Sequence, residues 1–184
     1  MKLITISEWD EQFWQRAEPI YDRAFPREGR KPDALIRRML ERGIGRLHLG
    51  EDGRGAVAMA LTGVTEQGEA LIIDYLAVRA DLRGQGAGRE FLALIRQWAE
   101  HSSGLAGIII EVESDATPDN LARIAFWESC GFVATDYVHR YFWVPEPYRA
   151  MVLRFRDGDD SLPLDGELLF RHINAFHAKA YRKR

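Results

Sequence analysis

"IIDYLAVRADLRGQGAGREFLALIRQWA", residues 72–99, joins an apolar run to a strongly periodic one through Arg-Gly-Gln-Gly-Ala-Gly. Gly84, Gly86 and Gly88 each lose more backbone freedom on folding than any other residue would, and a plain turn needs only one glycine. The run before them reads as a buried strand. After them Phe91, Leu94, Ile95 and Trp98 lie at i, i+3, i+4 and i+7, which predicts a helix over about 87–101. A strand, a glycine loop and a helix N-terminus together make an anion site. Successive N–H groups of Gly84, Gln85, Gly86, Ala87 and Gly88 can converge where no Cβ blocks the approach, the helix dipole adds partial positive charge, and Arg83 and Arg89 add full charges. The plainer reading is a glycine turn that only reverses the chain. A dinucleotide fingerprint needs a third glycine where Arg89 stands, and no Gly-Lys-Ser/Thr run exists for a Walker loop.

Outward from this stretch the elements fall in a regular order. "KLITI" (2–6) alternates as an opening strand. Trp9, Phe13, Ala17, Ile20, Tyr21 and Ala24 predict an amphipathic helix over 8–25, with Ser7 as its cap. Pro26 ends that helix, and a basic loop leads to a short helix opened by Pro32 and stopped by Gly43. "GRLHLGEDGRGAVAMALTGV" reads as a hairpin, and "GEALIIDYLAV" (68–78) as the next strand. "GIIIEVE" (107–113) is another buried strand; Thr117-Pro118 caps a helix that stops at Gly131. "FVATDYVHRYFWV" and "YRAMVLRF" should pair as antiparallel strands about Pro145-Glu146-Pro147. Leu169, Ile173, Phe176 and Ala180 then mark a final amphipathic helix. This order implies an α/β fold, a mixed sheet with helices on its faces.

The 184 residues suffice for one domain with a full core. The single cysteine, Cys130, excludes an internal disulfide and a multi-cysteine metal site. No run is long enough to span a membrane, and "MKLITISEWDEQ" turns acidic too early for a signal peptide, so a cytoplasmic protein is expected. A net charge of −3 argues against nucleic acid as the main partner. Residues 22–46 nevertheless carry eight Lys/Arg against four acids, and "FPREGRKPD" (25–33) would favour an acceptor bearing a carboxylate or phosphate. Most such runs are simply solvated faces.

Residues 72–99 resemble the central motif of the GNAT superfamily, the acyl-CoA-dependent N-acyltransferases. A second stretch, "NLARIAFWESCGF" (120–132), is similar to that superfamily's helix ending in Gly-Phe, and the two stand in the superfamily's order with "GIIIEVE" between them. The resemblance implies a GNAT-like fold, a central, mostly antiparallel sheet flanked by helices, here with an extra C-terminal amphipathic helix. It implies an N-acyltransferase domain over 1–156, followed by an acidic linker and helix over 157–184 packed on the same domain. It implies transfer of an acetyl group from acetyl-CoA to a primary amine of a small molecule or peptide, by direct attack in a ternary complex. A non-catalytic acyl-CoA-binding module is the alternative. Arg83 to Gly88, with Arg89 beside them, would hold the pyrophosphate. Leu76, Ala77 and Val78 would bond the pantetheine arm through their main chain, with Asn120 contacting the same arm. An N–H near Val78 would face the oxyanion.

The chemistry needs a base, because a lysine-like amine must lose a proton before it attacks. Glu111, an acid inside the apolar "IIIEVE", is the first candidate, and "IEV" is similar to the "LEV" stretch that carries a glutamate in protein N-terminal acetyltransferases. A rim carboxylate paired with an arginine is the rival reading of Glu111. Asp74 in "IIDYLAV" is the second candidate, for the same reason. Trp127 stands where the superfamily often has tyrosine; an indole N–H cannot protonate a thiolate as a phenol would, so Trp127 is expected to pack against the pantetheine or to donate a hydrogen bond. Tyr75, Tyr137 and Tyr141 remain as other phenols. The histidines show no metal-ligand spacing, and no metal is expected. The partners expected are acetyl-CoA and an amine acceptor, with a homodimer allowed and neither membrane nor nucleic acid required.

Overall fold

The computed structural model describes residues 1–101, 104–156 and 162–182. Seven strands are hydrogen-bonded in the order β1-β2-β3-β4-β5-β7-β6: β1 Lys2–Ile6, β2 Gly45–Asp52, β3 Gly55–Val64, β4 Ala70–Val78, β5 Gly107–Glu113, β6 Val133–Arg140 and β7 Pro147–Arg154. Five α-helices accompany them: α1 Glu11–Ala24, α2 Asp33–Glu41, α3 Ala87–Glu100, α4 Pro118–Ser129 and α5 Gly166–Tyr181. This is the mixed α/β sheet with flanking helices and a C-terminal helix that the element order predicted. Among the described residues no helix is long and apolar enough to cross a membrane. Of the expected acidic linker, residues 157–161 lie outside the described residues, as do 183–184 at the end of the chain.

The chain divides into two compact units. The first comprises Met1–Gly63, Ile73–Trp98 and Lys179–Arg184. Here β1 pairs antiparallel with β2, and β2 with β3. The middle of β3 is covered: Val57, Ala58, Met59, Ala60 and Leu61 are all buried. The first helix differs from expectation at its start. It is capped by Asp10, whose carboxylate accepts the Phe13 N–H at 2.8 Å, and not by Ser7. Ser7 and Asp10 are three residues apart, nearly one helical turn, so the apolar period fits either start. Trp9 precedes the cap and packs on Trp14, ring centroids 5.7 Å apart, as a hydrophobic staple. Pro19 sits inside α1 without ending it; the carbonyl it leaves unbonded belongs to Gln15, on the exposed face.

The second unit comprises Val64–Ile72 and Ala99–Ala178. In it the first residues of β4, Ala70–Ile72, pair in parallel with Gly107–Ile109 of β5. Antiparallel pairing of β7 with β5 and with β6 completes the unit's sheet. Gly107 is fixed by close approach, since a Cβ there would strike the Leu153 carbonyl and come within 2.8 Å of Leu162 Cδ2. The strand expected over "FVATDYVHRYFWV" is shorter and less regular than its composition suggests. Its ladder shifts between Ala134 and Val138, where Thr135 turns its hydroxyl to the Ala150 carbonyl at 2.9 Å, and it ends at Arg140. Phe142 and Trp143 beyond it are exposed. α5 is anchored by the buried Leu169, Phe170, Ile173 and Phe176.

Candidate active site

In the first unit the glycine loop follows β4 as predicted. Gly84 (φ +74°) and Gly86 (φ +86°) adopt left-handed backbone, which explains glycine at both. A Cβ at either would meet nothing within 4 Å, so the space over the loop is open. The first backbone bond of α3 runs from the Glu90 N–H to the Gly86 carbonyl at 3.0 Å, leaving the Ala87 and Gly88 N–H groups outside the helical ladder. The loop is braced by side chains: Arg83 Nε donates to the Val78 carbonyl (3.2 Å) and the Gln85 amide to the Asp81 carbonyl (2.8 Å). Arg89 is exposed at the start of α3. An open, glycine-lined turn with spare N–H donors, a helix N-terminus and two arginines fits a pyrophosphate. Leu76, Ala77 and Val78 form the end of β4 that leads into this loop.

Asp74 lies on the same strand but is already engaged. Lys31 Nζ contacts both carboxylate oxygens, at 2.9 and 2.8 Å, and both side chains are almost wholly buried. Two phenols close the cluster. The Lys31 N–H donates to Tyr21 Oη (2.9 Å) and Tyr75 Oη (3.2 Å), and Tyr75 donates to the Gly29 carbonyl (2.8 Å). Burial, with the Asp74 charge next, pushes the Tyr75 hydroxyl far above the usual phenol range. Tyr75 is a structural phenol. Of the basic loop's cations, Arg30 is paired with Asp22 and Lys31 with Asp74, so their charge is largely spent within the protein.

In the second unit Glu111 projects from β5 toward two donors. The Tyr141 hydroxyl donates to its Oε2 at 2.7 Å, and His177 Nε2 lies 3.1 Å from its Oε1. The partners are a tyrosine and a histidine, not the arginine of the rival reading. The strand register explains the grouping. Glu113 stands opposite Tyr148, and Tyr148 opposite His139, so Glu111, Glu113, Tyr148 and His139 share one sheet face, and Tyr141, just past the end of β6, reaches Glu111 with its hydroxyl. α5 lies on that face, with Phe170 stacked on the His139 ring at 4.3 Å. Tyr148 is pushed up to about 12 by burial, then by the charges of Glu113, Glu111 and Glu146. Among the described residues no three His, Cys, Asp or Glu side chains gather as a metal site.

Asn120 and Trp127 sit on α4. Thr117 caps the helix by accepting the Asn120 N–H (3.2 Å), and the buried Asn120 amide donates to the Asp115 carbonyl (3.1 Å), holding the turn before the helix. Trp127 is buried edge-on between Phe126 and Phe132. Sequence reading missed His177 as a partner of Glu111. Nothing local marks it, because 66 residues separate the two.

Residues 5–132 match the sequence profile of the "Acetyltransferase (GNAT) family". Among solved structures, a GNAT-family protein of Bacteroides thetaiotaomicron is 19% identical with a TM-score of 0.75, covering 100% of both chains. The ribosomal-protein-S18-alanine N-acetyltransferase of Escherichia coli is 20% identical with a TM-score of 0.59, over 88% of this chain and 99% of its own. A Bacillus subtilis acetyltransferase in complex with CoA is 14% identical with a TM-score of 0.58, over 84% and 99%. A comparison with curated proteins returns no match. The structural likenesses concern the fold; the profile spans more than two-thirds of the sequence, and with it the chain belongs to the GNAT family of acetyltransferases.

Proposed function

We propose that this protein transfers the acetyl group of acetyl-CoA to a primary amine by direct attack, with Glu111 as the general base. The observation that carries the assignment is the Glu111 carboxylate itself, a quarter exposed after the apolar run Ile108–Ile110, with one donor on each oxygen. Asp74, the other strand acid, is neutralised by Lys31 and serves the fold. The Arg83–Gly88 loop binds the pyrophosphate through its N–H groups, with Arg89 adding charge, and the main chain of Leu76–Val78 aligns the pantetheine arm. The family resemblance implies that Asn120 and Trp127 contact the same arm.

Glu111 takes one proton from the acceptor ammonium. The freed nitrogen bonds to the acetyl carbon as the carbon–sulfur bond breaks, and the second amine proton leaves with CoA as its thiol. Protons and bonds then balance: an ammonium and a thioester give an amide, a thiol and one proton held on Glu111. Incubation with acetyl-CoA and a panel of peptide N-termini and polyamines tests the reading by mass. A product heavier by one acetyl group, with one thiol released per acetyl transferred, is expected. Stabilisation by acetyl-CoA with no acetylated amine would favour the binding-module alternative.

A further inference from the structure

Glu111 is positioned by parts of the chain that lie C-terminal to both sequence motifs, and the more informative of the two is His177 on α5. We propose that His177 is a positioning residue for acetyl transfer: its Nε2–H holds one oxygen of the Glu111 carboxylate while Tyr141 holds the other. The inference rests on Glu111 being the base.

Three observations carry it. The donors approach different oxygens, Tyr141 at Oε2 (2.7 Å) and His177 at Oε1 (3.1 Å), so together they fix the carboxylate's rotation. Glu111 and His177 keep 24% and 20% of their side-chain exposure, and a polar contact so open to water adds little to stability. α5 does not need the pair for docking, because Leu169, Phe170, Ile173 and Phe176 already bury its apolar stripe. A partly open histidine–carboxylate contact on a well-anchored helix serves orientation better than it serves folding.

An ionised Glu111 only accepts, so His177 must present its hydrogen at Nε2 to hold Oε1 while the Tyr141 hydroxyl holds Oε2.

The test combines histidine side-chain nitrogen NMR of the full chain at neutral pH with rates on acetyl-CoA and the amine panel. The NMR should show the His177 hydrogen on Nε2, with that nitrogen's signal displaced in Glu111→Gln. His177→Ala should lower kcat by about tenfold or more with KM for acetyl-CoA unchanged. His177→Gln keeps an N–H donor, so it should recover most of the rate. A bare Nε2, or a His177 nitrogen signal identical in Glu111→Gln, overturns the inference whatever the rates. Wild-type rates in both His177 variants, with Glu111→Gln inactive, overturn it while leaving the base in place. Full activity in Glu111→Gln removes the underlying reading instead.

Discussion

Asp74 and Glu111 are the same observation in the sequence, a carboxylate inside an apolar strand, and the structure gives them opposite environments. Asp74 meets a buried lysine 43 residues away; Glu111 meets a tyrosine and a histidine and stays partly open to water. Local sequence cannot separate them, because burial cost is set by partners that only the fold supplies. The difference is measurable. Asp74→Asn strands the Lys31 ammonium in a buried site and should cost about 3–5 kcal/mol in denaturant unfolding, whereas Glu111→Gln should change stability little. His48 gives a second residue-scale prediction. It is wholly buried between Thr5 Oγ1 and Thr62 Oγ1, each 2.8 Å from a ring nitrogen. Burial, then the Arg46 charge, lowers it from 6.5 to about 3. The folded state therefore keeps His48 neutral, while the unfolded chain binds a proton below about pH 6.5. Stability is complete above that value and falls as pH drops toward 3. Thr62→Val should lower stability at neutral pH by about 1–3 kcal/mol, seen by thermal unfolding, because one ring nitrogen is left unbonded.

Among the elements, those fixed by local chemistry were the most legible. Thr117-Pro118 announced α4, and the period of Phe91, Leu94, Ile95 and Trp98 announced α3. The start of α1 was misplaced by three residues, since Ser7 and Asp10 are both good caps and the helical period accepts either. The irregular β6 was not legible, because its register shift is set by pairing with β7 and not by its own β-branched residues. The glycine loop makes the prediction at this scale. Gly86→Ala places a Cβ on a left-handed backbone with open space around it, so strain, not collision, is the penalty. A loss of about 1–2 kcal/mol in thermal unfolding is expected. A weaker rise in melting temperature with acetyl-CoA should accompany it, because the N–H groups lose their alignment. An unchanged ligand response would detach the loop from the pyrophosphate.

At the scale of the molecule, two motifs and the order of strands and helices were enough to reach the sheet and the family. What they could not reach was the contribution of the last third of the chain. β7, the segment after β6 and α5 bring Tyr148, Tyr141 and His177 to the face that carries Glu111, and none of these placements is written in a short motif. The most direct measurement is the initial rate of CoA thiol release at neutral pH for wild type and Glu111→Gln, with acetyl-CoA-induced stabilisation recorded on the same samples. A rate lower by about 10²–10⁴ in the variant, with the stabilisation retained, is the outcome expected of a general base. Equal rates in the two proteins would contradict it.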